Sequence, residues 1–96
     1  MSVYFIAQIQ VEDKAAYQKY VDSADKIFQN YNGTYLAVDD SPMCLEGIWD
    51  ESRIVVIEFP DKDKFKAWYC SAEYQEILKY RLKAAQCDSI LIKGMN

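Results

Sequence analysis

The chain has 96 residues, of which 51% are hydrophobic, 15% aromatic and 27% charged, with a formal net charge of −4. This composition excludes a disordered chain, and the acidic balance without a basic helix argues against nucleic acid and membrane surfaces as partners. No histidine is present, which excludes His-dependent catalytic triads, typical zinc enzymes and His-ligated haem. We therefore expect no cofactor and no metal.

A chain of this length predicts one domain over residues 1–96. Domains this small gain stability when an apolar face is covered by a second copy. Met1-Ser2 leads straight into Val3-Tyr4-Phe5-Ile6 without a basic segment, so we expect no signal peptide and a cytoplasmic protein. Cys44, Cys70 and Cys87 have no metal-binding spacing and are interpreted as free thiols.

The first half of the chain predicts a strand, a helix and a second strand. Residues 3–11 alternate apolar side chains with a period of two, which is typical of a strand. Asp13 stands at an N-cap position, and apolar residues then recur at steps of three and four up to Asn32-Gly33. Thr34–Val38 is predicted as the second strand.

The second half predicts a hairpin, a helix with a bend and a last strand. Cys44–Asp50 and Arg53–Phe59 both alternate and are predicted to pair across a tight turn. Pro60-Asp61 should start the next helix, and Ser71 with Glu73 predicts a bend near residues 70–72. Ser89–Lys93 is predicted as the closing strand.

This order predicts an α+β protein of the ferredoxin-like βαββαβ kind, with a four-stranded antiparallel sheet and both helices on one face. The hairpin and the first strand have apolar residues on both faces. We therefore expect a partner to cover the face that carries no helices. We expect a homodimer in which two sheets face each other, with Trp49 as an interface residue.

Arg81 is the most informative position for function. It lies within an apolar helical stripe, where a permanent cation requires an acid or an anionic ligand. Glu46 and Glu58 alternate with apolar neighbours and are the candidate acids for Arg81. We favour Glu46 as the partner of Arg81, because its neighbours are predicted to face the helices. A functional Arg81 would line a pocket that orients a small polar molecule, whereas a structural Arg81 would be a buried ion pair or reach the rim. The pocket candidates are Tyr20, Glu46, Trp68, Tyr69, Tyr74 and Arg81.

Several runs together resemble one known family. They are Gly33-Thr34-Tyr35-Leu36, Leu45-Glu46-Gly47-x-Trp49, Arg53–Pro60 and Ala67-Trp68-Tyr69-x-Ser71-x-Glu73-Tyr74, followed by Arg81. In this order they are similar to the family known as domain of unknown function 1330. The chain departs from the usual family pattern in having Asn32-Gly33 where a Gly-Gly pair is common, and Val38-Asp39-Asp40 where a basic residue is common.

The resemblance implies a ferredoxin-like fold of the dimeric α/β-barrel superfamily, usually a homodimer. That superfamily includes cofactor-independent monooxygenases, isomerases and haem-dependent proteins. By resemblance, Glu46, Trp49, Trp68, Tyr69, Tyr74 and Arg81 match motif positions of the family. Two hypotheses follow: a small-molecule-binding protein of the monooxygenase or isomerase type, or a non-catalytic dimeric interaction or regulatory module.

Overall fold

The computed structural model describes residues 1–49 and 52–95. Its elements, in chain order, are β1 (Val3–Val11), α1 (Lys14–Gln29), β2 (Thr34–Asp39), β3 (Arg53–Phe59), α2 (Lys62–Tyr69), α3 (Ala72–Ala84) and β4 (Ala85–Lys93). The sheet is antiparallel with strand order β2-β3-β1-β4. The predicted ferredoxin-like βαββαβ order is confirmed, with the second helical region divided into α2 and α3.

Side-chain caps start each helix where the sequence predicts. The carboxylate of Asp13 accepts a hydrogen bond from the backbone N–H of Ala16 at 3.1 Å, and the carboxylate of Asp61 accepts one from Lys64 at 2.8 Å. The hydroxyl of Ser71 accepts the N–H of Tyr74 at 3.1 Å. These bonds satisfy donors that a helix N-terminus leaves unpaired. The bend predicted near residues 70–72 is therefore a new helix start.

The strict alternation of β1 divides the sheet into two different faces. Val3, Phe5, Ala7 and Ile9 are buried on the face that the helices cover. The other face, which we call the open face, carries a central group of apolar side chains that no helix covers. Its apolar members in β1, β3 and β4 are Tyr4, Ile6, Ile54, Val56, Ile90 and Ile92.

The predicted hairpin between residues 44–50 and β3 is wrong. One edge of β3 pairs with β2 and its other edge pairs with β1, so no edge remains for another strand. Residues 43–49 lie in the connection between β2 and β3, and Asp50 lies outside the described residues. Leu45 and Ile48, expected within a strand, are 84% and 102% exposed in this connection.

The last strand begins earlier than predicted. β4 starts at Ala85 rather than Ser89, because β1 is long enough to pair with it from Val3↔Lys93 to Val11↔Ala85. The helix α3 consequently ends at Ala84, whose carbonyl accepts backbone N–H bonds from Glu12 and Asp13. This contact joins the end of α3 to the start of α1.

Candidate functional site

A cavity of about 270 Å³ lies between α1 and the covered face of the sheet. Its apolar wall comes from alternate residues of β1 and β3 and from Val21 and Ala24 of α1. The small side chain of Ala7 contributes to the floor. The polar and aromatic residues that line the cavity are Phe5, Tyr17, Tyr20, Asp25, Tyr35, Arg53 and Arg81.

Arg81 is a buried cation that has no acidic partner among residues 1–49 and 52–95. It is 3% exposed, and its Nε is buried without a hydrogen-bond partner. The ion pairs within the described residues are Arg53–Asp40 and Lys79–Glu76. The guanidinium carbon of Arg81 instead lies 5.6 Å from the centre of the Tyr20 ring, within cation–π range. A cation–π contact does not neutralise the charge.

The start of α3 places Arg81 in this position. Ser71 caps the helix and fixes Tyr74 in its first turn. Arg81 follows two turns later on the same side, since the helix has 3.6 residues per turn. The buried residues of α3 are Tyr74, Ile77, Leu78, Arg81 and Ala84. One helical face therefore carries both a fully buried tyrosine and the buried arginine that lines the cavity.

Two tyrosine hydroxyls form the other polar group beside Arg81. The hydroxyl oxygens of Tyr20 and Tyr74 lie 2.7 Å apart and share a hydrogen bond. Burial raises the pKa of both hydroxyls, and the Tyr20–Tyr74 proximity raises that of Tyr74 further. Both groups are therefore neutral at ordinary pH. They can donate or accept hydrogen bonds, but they supply no negative charge to Arg81.

Arg53 stands at the boundary between the cavity and an outer groove of about 630 Å³. Its Nη1 donates to a carboxylate oxygen of Asp40 at 2.7 Å, and its guanidinium carbon lies 5.9 Å from the centre of the Tyr17 ring. Asp40 belongs to the connection after β2. The two cavity arginines thus differ, because Arg53 has a carboxylate partner and Arg81 has none among the described residues.

The structure brings together three of the six predicted pocket residues. Tyr20 and Arg81 line the cavity, and Tyr74 lies behind Tyr20 through the shared hydrogen bond. Trp68 and Tyr69 pack in an aromatic cluster next to Tyr74, with the Trp68 and Tyr74 ring centres 4.1 Å apart. Neither of them is a lining residue of the cavity. Trp68 supports the site from the core.

The predicted ion pair between Arg81 and Glu46 is not formed in this structure. Glu46 is exposed in the connection between β2 and β3 and does not line the cavity. The alternative acid, Glu58, lies opposite Tyr4 in the sheet register, on the open face and away from Arg81. Trp49 lies in the same connection as Glu46 and is 45% exposed. Its role at an interface stays a prediction.

Sequence reasoning missed Arg53, Tyr17 and Tyr35 as lining residues. The alternation of β3 could have identified Arg53. Val55, Ile57 and Phe59 are buried on the covered face, and the period of two places Arg53 on the same face. Tyr17 precedes Tyr20 by one helical turn. Tyr35 lies on the edge strand β2, and its hydroxyl donates to Asp25 at 2.9 Å.

Two absences concern the described part of the chain. Within residues 1–49 and 52–95, no three His, Cys, Asp or Glu side chains lie close enough together to hold a metal ion. In the same residues, no helix has the length and apolar character needed to cross a membrane.

The tyrosine pair predicts a loss of stability at alkaline pH. The pKa values of Tyr20 and Tyr74 are higher in the folded than in the unfolded protein, where they are about 10. Their contribution to the free energy of unfolding is therefore complete below a pH of about 10. It declines as the pH rises further, by up to about 1.4 kcal/mol per pH unit for each buried hydroxyl. Urea unfolding from pH 9 to 11.5 tests this, and Tyr20→Phe should reduce the slope. A flat profile would contradict it.

Comparison with known proteins identifies the family. The chain matches "Domain of unknown function (DUF1330)" over residues 2–95 and belongs to this family. The resemblance recognised from the sequence is therefore confirmed. Among curated protein sequences, no relative matches this chain.

Solved structures share the fold at low sequence identity. A protein of unknown function from Rhodopseudomonas palustris superposes with a TM-score of 0.82 at 18% identity, covering 99% of this chain and 83% of that one. SnoaB, a cofactor-independent oxygenase from Streptomyces nogalater, gives 0.71 at 14%, covering 99% and 94%. A dimeric ferredoxin-like protein of unknown function from Thermobifida fusca gives 0.69 at 14%, covering 98% and 92%.

Proposed function

We propose that this protein is a homodimer whose subunits each bind a small organic molecule in the cavity beside Arg81. The observation that supports this most directly is the buried Arg81, whose Nε lacks a hydrogen-bond partner at the wall of an aromatic-lined cavity. A buried donor without a partner costs free energy, of the order of 1–3 kcal/mol or more when charged. A bound molecule that accepts from Arg81 would recover that cost.

The shape and lining of the cavity suit a small ring-containing molecule. Its volume of about 270 Å³ is slightly below the range of about 300–1,000 Å³ that is usual for ligand pockets. Aromatic rings and aliphatic side chains form most of the wall, and Tyr20, Arg53 and Arg81 add polar groups to it. This combination is typical of sites that hold an apolar body and orient one polar group.

The site can stabilise negative charge but offers no strong base. Tyr20 and Tyr74 are neutral donors, and Arg81 is a permanent cation. Such a group can hold an oxyanion, which is a common part of catalysis without a metal. Cofactor-independent oxygenation, the activity described for SnoaB, is the first reaction that we would test once a ligand is known.

The apolar character of the open face supports the proposed homodimer. Ile90 and Ile92 are 58% and 43% exposed there, and Ile6 lies directly between Val56 and Ile90 in the sheet register. An apolar patch at the centre of a sheet is characteristic of an interaction surface. Structural neighbours from Thermobifida fusca and Bacteroides fragilis are described as dimeric, which supports the same arrangement here.

The cavity is tested by filling it. Ala24 is 4% exposed and lines the cavity, whereas Ala15 is exposed on the same helix. We would screen phenol, 2-naphthol, benzamide and benzoate by thermal shift, where a ligand at ten times its Kd adds about 1.4 kcal/mol of stability. We expect at least one compound to raise the Tm by several degrees, and we expect Ala24→Leu to remove this shift.

Ala15→Leu should retain the Tm shift, because the added side chain lies outside the cavity. If no compound stabilises the protein, or if the stabilisation persists in Ala24→Leu, the cavity is not the binding site. The alternative of a non-catalytic interaction module would then be the better description.

A further inference from the structure

We propose that the ligand of this cavity is a small monoanion, a carboxylate or an ionised phenol, whose acidic group pairs with Arg81. This inference rests on the proposed function and adds the charge and chemical class of the ligand. The geometry that supports it is that of Arg81, a residue that is 3% exposed, lines the cavity and has an Nε without a hydrogen-bond partner.

The described side chains around Arg81 supply no negative charge at neutral pH. The Tyr20 ring is 5.6 Å from its guanidinium carbon, and Tyr74 and Tyr69 lie nearby. Burial raises the pKa of Tyr20, Tyr74 and the Cys87 thiol, so these groups are uncharged at neutral pH. A buried cation among neutral groups carries a large desolvation cost that an anion would offset.

The carboxylate of Asp25 lines the same cavity as Arg81. Asp25 is exposed and accepts a hydrogen bond from the Tyr35 hydroxyl at 2.9 Å. Within the described residues, no ion pair with N···O of 4.0 Å or less joins it to Arg81 or to Arg53. Water screens an exposed carboxylate at longer range. Asp25 therefore does not replace a counter-ion at Arg81.

The ion pair at Arg53 limits the number of negative charges expected on the ligand. Arg53 is already paired with Asp40 at 2.7 Å at the boundary with the outer groove. Among the described lining residues, Arg81 therefore leaves one positive charge uncompensated deep in the cavity. One negative charge on the ligand balances it, whereas the second charge of a dianion would meet no unpaired cation among the described lining residues. The small volume also favours a single ring over a larger molecule.

The Tyr20 hydroxyl can act as a second hydrogen-bond donor beside Arg81. In the Tyr20–Tyr74 pair, one hydroxyl donates and the other keeps its own proton free for a second acceptor. Only Tyr20 of the two lines the cavity. When Tyr74 donates to Tyr20, the Tyr20 hydroxyl can donate to a ligand oxygen while the guanidinium donates to the same acidic group. Two donors, one of them charged, favour an anionic acceptor over a neutral one.

The test uses three molecules of the same shape and different charge. Benzoate, benzamide and benzamidine carry a negative, a neutral and a positive head group on the same ring. We expect benzoate to bind at least about tenfold more tightly than benzamide, the ratio expected when a charge-assisted hydrogen bond replaces a neutral one. Benzamidine should not bind. Isothermal titration calorimetry at neutral pH gives the three values of Kd.

A second probe distinguishes a phenolate site from a carboxylate site. 4-Nitrophenol is yellow when ionised, so its absorbance reports its protonation state in the cavity. At a pH where it is mostly protonated in solution, we expect bound 4-nitrophenol to show the phenolate spectrum if the site accepts ionised phenols. Benzoate binding without this spectral change would assign the site to carboxylates and retain the monoanion.

Variants assign the charge preference to Arg81. Arg81→Met should reduce the ratio of benzoate to benzamide affinity to about one, and Lys83→Met, an exposed cation on the same helix, should leave the ratio unchanged. Asp50→Asn with Glu51→Gln removes two acids outside the described residues and should also leave it unchanged. If only this double variant prefers benzoate over benzamide, the protein supplies its own counter-ion to Arg81. That result overturns the inference.

The remaining outcomes separate the two proposals. If benzamide binds as tightly as benzoate, and Ala24→Leu abolishes both, the cavity binds small molecules but the charge inference is wrong. If benzoate binds preferentially and Arg81→Met keeps that preference, another group recognises the anion and the inference is also wrong. If none of the probes binds, the proposed function fails together with the inference.

Discussion

Replacing Arg81 by methionine is expected to increase the free energy of unfolding of the unliganded protein, by about 1–4 kcal/mol. The methionine side chain extends from the same buried face of α3 as Tyr74, Ile77 and Leu78. It replaces a buried cation that lacks an acidic partner in the described structure. For a chain of this size, each 1 kcal/mol corresponds to about 4–8 °C in Tm. Urea unfolding without ligand measures the change directly.

Two controls make this result specific. Lys83→Met removes a cation from an exposed position on α3 and should change stability by less than about 0.5 kcal/mol. Glu46→Gln combined with Arg81→Met should equal the Arg81→Met single variant, because Glu46 is exposed in the connection between β2 and β3. A loss of more than about 1 kcal/mol in Arg81→Met would show that the native arginine makes stabilising contacts and has a structural role.

A stabilising Arg81→Met substitution would also indicate that the buried arginine serves function rather than stability. Groups that lower stability without a ligand are characteristic of functional sites, since removing them stabilises the protein and costs function. Arg81→Met should therefore gain stability in the same experiment in which it loses preference for benzoate. A purely structural arginine would not show this opposition between stability and binding.

The elements of this fold could be predicted because their signals are local. The caps at Asp13, Asp61 and Ser71 require a side-chain oxygen close to the helix start. The period of β1 required only its own alternation, and the structure places Val3, Phe5, Ala7 and Ile9 on the covered face. The βαββαβ order then followed from the sequence of elements.

The strand predicted over residues 44–50 failed because strand pairing is not a local property. Alternation shows that a segment can form a strand, but it does not show which sheet edges are free. Here β2 and β1 occupy both edges of β3. The predicted Arg81–Glu46 pair depended on that strand, so it failed with it.

The candidate site was predicted in part for a related reason. Tyr20, Tyr74 and Arg81 belong to two helical stripes, so periodicity indicated that they face inward. Whether an inward residue lines a cavity or fills the core depends on how elements that are distant in sequence pack together. Periodicity within one helix gives no information on that packing. Trp68 and Tyr69 therefore looked equivalent to Tyr20 in sequence, although Trp68 is 2% exposed and packs in the core.

Ile6→Lys is expected to dissociate the proposed homodimer. Ile6 lies at the centre of the open face, directly opposite Val56 in β3 and Ile90 in β4. In a dimer formed through this face, a lysine at this position would be a buried charge without a partner, at a cost of about 3–5 kcal/mol. The dimer Kd should therefore increase by a factor of at least about 100. Sedimentation equilibrium over a range of protein concentrations measures both Kd values.

Gln29→Lys is the matched control for Ile6→Lys, because Gln29 is exposed at the end of α1 and the added charge stays in water. This control should dimerise as the unmodified protein does. A wild-type protein that is monomeric at micromolar concentration, or an Ile6→Lys variant with an unchanged Kd, would show that the open face is not the interface. Ile6 and the cavity lie on opposite faces of the sheet. A monomeric Ile6→Lys variant should therefore still bind benzoate, which would separate assembly from ligand recognition.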